Sequence, residues 1–129
     1  MCAYGGAQAQ TFMGCTLQNG PLKSHCNAGT DLCTKSFSID VEGKNLKQTA
    51  GLFQFAPVEV IYWTETSVQF EQNITLDPAV DGSAQSVKGV TRLNRITVEM
   101  QVVVNYFNAR VPVKTQDETW SCSLNKRLF

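Results

Sequence analysis

The chain has 129 residues, 43% of them hydrophobic and only 17% charged, with eleven Lys plus Arg balancing eleven Asp plus Glu. That length suits one domain with one core, burying roughly two thirds of the surface its unfolded chain exposes. Zero formal charge removes the long-range field that would steer a whole domain toward nucleic acid or anionic lipid, and no apolar window is long enough for a membrane helix.

The first thirty-five residues carry Gly, Gln, Asn and Pro without a sustained period ("YGGAQAQTFMG", "LQNGPLKSHCNAGTD"), and are expected to be an irregular segment. They lack the basic start and apolar block of a secretory signal. Four cysteines, Cys2, Cys15, Cys26 and Cys33, lie here and the fifth, Cys122, near the other end. Free buried thiols are the default for a chain without a signal. If the cysteines are oxidised, Cys26 and Cys33 can close a small local loop, and Cys15 or Cys2 can join the amino-terminal segment to Cys122; spacing alone does not choose. A zinc site would use His25 beside Cys26. The successive spacings of thirteen, eleven and seven residues, however, lack the tight C-x2-C to C-x4-C pair that aims two sulfurs at one ion. No metal and no cofactor is expected.

From Ser36 the pattern changes. "SFSIDV" puts Phe37, Ile39 and Val41 on one face, the period-two signature of a half-buried strand, and "EGKN" supplies a turn. "LFQF" and "VEVIYW" are rich in aromatic and β-branched residues, with Pro57 marking an edge or bend. "TET" at 64–66 leads into "SVQFEQNITL", where Val68, Phe70, Ile74 and Leu76 share a face interrupted by Gln72.

Residues 77–94, "DPAVDGSAQSVKGVTRLN", have little apolar periodicity and are expected to form a long loop. Such loops tend to be functional or to belong to an assembly contact, which makes Asp77, Asp81, Gly82, Lys88 and Arg92 candidate interaction residues. Then "RITVEMQVVVNYF" places apolar side chains on every even position from Ile96 to Tyr106, an expected strand of roughly 35 Å at about 3.3 Å per residue. "FNARVPV" turns the chain back, and "TWSCSL" sets Trp120, Cys122 and Leu124 on one face. The last third therefore reads as a long two-stranded ribbon that needs a second sheet or a neighbouring subunit to be stable.

No window keeps helical spacing, so the fold expected is all-β: an antiparallel sandwich or partly closed barrel of about six or seven strands. The expected core is Phe37, Ile39, Val58, Val60, Tyr62, Val68, Phe70, Ile74, Ile96, Val98, Val102, Val104, Trp120 and Leu124.

Catalytic signatures are missing: no phosphate-binding loop, dinucleotide fingerprint or H-E-x-x-H is present, and the one histidine lies in a Gly- and Asn-rich stretch. Glu59 with Glu65 or Glu71 could meet in space, but charges on exposed strand faces explain them. Arg92, Arg95, Arg110 and Lys114 form a candidate basic patch near aromatics able to stack bases, although the balanced acids disfavour nucleic acid. "NIT" at 73–75 fits a glycosylation sequon, relevant only to a secreted chain.

The expectation is a non-enzymatic structural or assembly subunit, such as a virion, phage tail, filament or large-complex component. It would associate through β edges, its termini and the 77–94 loop as a homo-oligomer or part of a larger assembly. The alternatives are a monomeric, disulfide-stapled extracellular β-sandwich that binds a ligand or protein, and a small metal-binding or nucleic-acid-binding β domain.

Overall fold

The computed structural model describes residues 10–21, 23–26, 33–51, 54, 56–76 and 85–127. Eight strands run in chain order: β1 (Gln10–Asn19), β2 (Thr34–Asp40), β3 (Asn45–Ala50), β4 (Glu59–Trp63), β5 (Ser67–Leu76), β6 (Gln85–Asn94), β7 (Glu99–Asn108) and β8 (Val111–Arg127), with a short 3-10 turn at Lys23–His25. All strands pair antiparallel in one sheet of order β3-β2-β1-β8-β7-β6-β5-β4, nearly closed into a barrel.

That order amounts to two meanders. β1 to β3 and β4 to β8 each zigzag in sequence order, and they join where β1 pairs with β8, from Gln10↔Arg127 to Asn19↔Thr119. A tight turn makes the first meander possible: the Asp40 carboxylate accepts from the Gly43 N–H at 2.9 Å, and Lys44 takes a left-handed φ of 52°.

The inner face follows the two-residue period. Met13, Cys15 and Leu17 on β1 face Leu124, Cys122 and Trp120 on β8, and Met100, Val102 and Val104 on β7 continue the layer. Across the barrel Phe37 of β2 meets Phe70 of β5 edge-on, ring centroids 5.7 Å apart. The remaining seam, between β3 and β4, is bridged by side chains instead of a strand ladder. Gln72 Nε2 donates to Gln48 Oε1 at 2.8 Å and lies 3.4 Å from the Ala56 carbonyl, while Gln48 Nε2 donates to the Ala50 carbonyl at 3.0 Å.

The all-β expectation matches the fold, with eight strands instead of six or seven. Four expectations need correction. Residues 1–35 are not irregular throughout, since β1 occupies ten of them; Met13, Cys15 and Leu17 are its buried face, and Gly14 breaks the apparent pattern. The loop expected over 77–94 does not hold for 85–94, because Gln85–Asn94 is β6 with Val87, Thr91 and Leu93 buried; residues 77–84 lie outside the described residues. The strand expected to begin at Ile96 begins at Glu99. Asn94 Oδ1 accepts from the N–H groups of Ile96 and Thr97, which holds a turn and leaves Ile96 73% exposed. The longest strand is instead β8, with seventeen residues. Of the expected core, Tyr62 and Leu124 also lie at the surface, whereas Ile39, Val58, Val60, Ile74 and Val98 are half-buried and Phe37, Val68, Phe70, Val102, Val104 and Trp120 are buried. Both chain ends, 1–9 and 128–129, lie outside the described residues.

Candidate functional site

β8 is longer than either neighbour can cover. β7 pairs with it from Val111 to Ser121, but β1 reaches only Thr119. Val111 to Glu118 thus has no strand partner on its second side among the described residues. In an antiparallel ladder successive residues point their backbone groups to opposite sides. The Cys122 N–H bonds the Val98 carbonyl on the β7 side at 2.9 Å. The register is unbroken from Ser121 back to Lys114, so the N–H and C=O groups of Thr115 and Asp117 face away from β7. Gly20, at φ 150°, closes this run: a Cβ there would lie 3.4 Å from the Asp117 carbonyl oxygen.

The hairpin carrying this edge ends in a two-residue turn, Ala109 and Arg110, with φ of 51° and 76°. Hairpins of this kind favour Asn-Gly or Asp-Gly, because both central residues need positive φ. Here a Cβ at each position makes the turn strained. Beside it Val111 and Val113 are each 61% exposed. A surface hollow lies at the base of the hairpin, lined by Gln85, Ser86, Tyr106, Phe107, Asn108, Val113 and Lys114. In it the Asn108 Oδ1 atom is buried without a hydrogen-bond partner among the described residues.

A polar cluster occupies the inner face behind the edge. Lys35 Nζ sits 4.2 Å from the centre of the Trp120 ring, and Trp120 Nε1 donates to Glu118 Oε1 at 3.0 Å. All three residues are buried. Burial pushes the Lys35 ammonium down to about 8, against the opposing attraction of Glu118. Tyr106, which donates to Gln116 Oε1 at 3.2 Å, has its hydroxyl pKa raised by burial first and by the Glu118 charge second. A lowered lysine can serve as a nucleophile, but it needs an accessible reaction space. Lys35 instead stacks on an indole inside the barrel, where it acts as a packed counter-charge.

The sequence-derived candidates separate in space. Asp77, Asp81 and Gly82 lie outside the described residues. Lys88 is on β6, ion-paired with Glu71 at 3.1 Å, and Arg92 on the same strand lies 3.4 Å from Gln69 Oε1. These two belong to a strand, so the loop reading does not hold for them. Nor do the four basic residues make one patch: Arg92 on β6 lies opposite Gln101 and Lys114 on β8 opposite Tyr106, five residues or roughly 17 Å apart along β7, with Arg95 and Arg110 in the turns at its two ends. Lys114 covers the Tyr106 ring at 5.5 Å. Glu59 and Glu71 are direct cross-strand neighbours, with Glu71 tied to Lys88. Cys15 and Cys122 are joined by a disulfide across the β1–β8 seam, their Cα atoms 4.0 Å apart, and Cys26 is bonded to Cys33. Among the described residues no group of His, Cys, Asp or Glu converges as a metal set, and no helix is long and apolar enough to cross a membrane.

The sequence reading missed the free β8 edge because edges depend on where a neighbouring strand stops. Its one local signal was Pro112, a residue confined to strand edges. Comparison with protein-family models, with curated proteins and with solved structures finds no match for this chain.

Proposed function

We propose that the protein is a non-enzymatic assembly subunit that associates with a second copy of itself by antiparallel pairing of the free β8 edge. The observation that carries this reading is the run of β8 that has no strand partner on its second side among the described residues. Its Thr115 and Asp117 backbone groups point outward, and uncovered strand edges pair readily with another chain. An antiparallel strand is self-complementary about a two-fold axis, the commonest symmetry of homo-oligomers. With the axis near Thr115, Val113 of each copy lies opposite Asp117 of the other.

Three further features support the reading. Pro112 has no N–H, which limits the contact to Val113–Asp117 and discourages open-ended stacking. Val111 and Val113 supply apolar area beside the edge. The low charge of the chain leaves the surface weakly defended against association. A virion, tail or filament component is the larger setting in which such a subunit would work.

Light scattering on the eluting peak of a size-exclusion column tests the proposal. The native chain should run as a dimer or higher oligomer. Thr115→Pro removes an outward N–H that β7 does not use, and should run as a monomer with an unchanged circular dichroism spectrum. A native monomer at all concentrations would overturn the reading.

A further inference from the structure

At the opposite end of the barrel from the β7–β8 hairpin lies a cavity of about 130 Å³. Its floor is Met13, Leu46, Val68 and Leu93, all buried, and its rim includes Val41 and Leu124, 48% and 49% exposed. One charged side chain, Arg95, lines it. The guanidinium is 5.5 Å from the centre of the Trp63 ring and donates through Nη1 to the Thr64 carbonyl, while the Arg95 backbone N–H bonds the Thr66 carbonyl at 2.8 Å. The side chain is thus held in place with most of its five donors uncommitted, and it makes no ion pair among the described residues. Val98, also in the lining, takes a φ of 57°, an outlier for a β-branched residue of the sort that accumulates at ligand sites.

We propose that this mouth binds a small monocarboxylate, its carboxylate pairing with Arg95 and its apolar body filling the cavity. An apolar cavity of about 150 Å³ accepts benzene, which sets the body at about a benzene ring or a six-carbon chain. A rigid fork over an aromatic ring favours a planar carboxylate, which it grips through two parallel N–H···O bonds. Because the cavity lies at the far end of the strands from the β8 edge, this site stands or falls separately from the assembly reading.

Titration of the full ¹⁵N-labelled chain with hexanoate, and in parallel with its methyl ester, tests the proposal. Hexanoate should shift the Trp63 indole N–H and the Val68, Leu93 and Val98 amides along one saturable curve, with a Kd in the millimolar range expected for so small a ligand. The ester should bind at least about tenfold more weakly, since it cannot make the charge-assisted pair. Arg95→Gln should reduce hexanoate to the affinity of the ester, and Arg92→Gln, on the outer face, should leave it unchanged. Unsaturable shifts, shifts centred elsewhere, or equal affinity for acid and ester would each overturn the proposal. The acid–ester comparison uses the native chain, so it holds even where a variant fails to fold.

Discussion

Gln72 and Gln48, twenty-four residues apart, hold each other through a buried amide hydrogen bond of 2.8 Å that ties β5 to the edge strand β3. The pair does at the open seam what a ladder does everywhere else in the sheet. Replacing either glutamine by Leu removes this bond and leaves the other's amide with its backbone partner, the Ala50 carbonyl for Gln48 or the Ala56 carbonyl for Gln72, at a cost of about 1–3 kcal/mol. The double variant should be less destabilised than the sum of the singles. Urea unfolding of the four proteins gives the coupling energy, expected at about 0.5–3 kcal/mol. Strict additivity would mean that the contact does not close the seam.

Lys35 makes stability depend on pH in a defined direction. Its folded pKa, about 8, lies below the ordinary lysine value of 10.5, so between those two values the unfolded chain binds more protons, and the Lys35 contribution to stability rises with pH. Below pH 8 the full burial cost is present, on the order of 3 kcal/mol. Lys35→Met should therefore stabilise the protein most at pH 7, and the gain should shrink toward pH 10. Paired denaturation curves at the two pH values measure it; a gain independent of pH contradicts the account.

The two disulfides should differ in weight. Cys15–Cys122 spans 107 residues and fastens the β1–β8 ladder, the only one joining the two meanders among the described residues, whereas Cys26–Cys33 spans seven. By chain entropy the first contributes about 4–5 kcal/mol and the second about 2 kcal/mol. Thermal unfolding of the Cys15→Ser/Cys122→Ser and Cys26→Ser/Cys33→Ser variants should rank in that order.

The hairpin turn should accept improvement. Ala109→Asn with Arg110→Gly supplies residues suited to positive φ, and should raise stability by about 1 kcal/mol or more in urea unfolding. No gain would show that the turn is relaxed with its native residues.

Much of the fold was legible where side chains obey a simple alternation: Phe37, Val68, Phe70, Val102, Val104 and Trp120 announce inner faces and are buried. The reading failed where inner positions are polar or small. On β6, Gly89 and Thr91 sit inside between Val87 and Leu93, and the stretch looks like a loop until its neighbours are known. Lys35, Gln48, Gln72 and Glu118 are buried polar residues that hydrophobic counting assigns outward; Gln72 looked like an interruption and is a structural contact. Ile96 failed in the other direction, because Asn94 caps a turn there and lifts the isoleucine into solvent. The candidate sites were less legible still, since among the described residues the β8 edge lacks a partner where β1 stops at Asn19, and the Arg95 cavity collects residues from seven of the eight strands or their turns.

Amide hydrogen exchange at Thr115 and Asp117, followed as protein concentration is raised, tests the assembly reading most directly. Paired edges predict that these two amides slow with concentration, in step with the appearance of a larger species. Exchange at the unprotected rate for both, unchanged across concentrations, would contradict it.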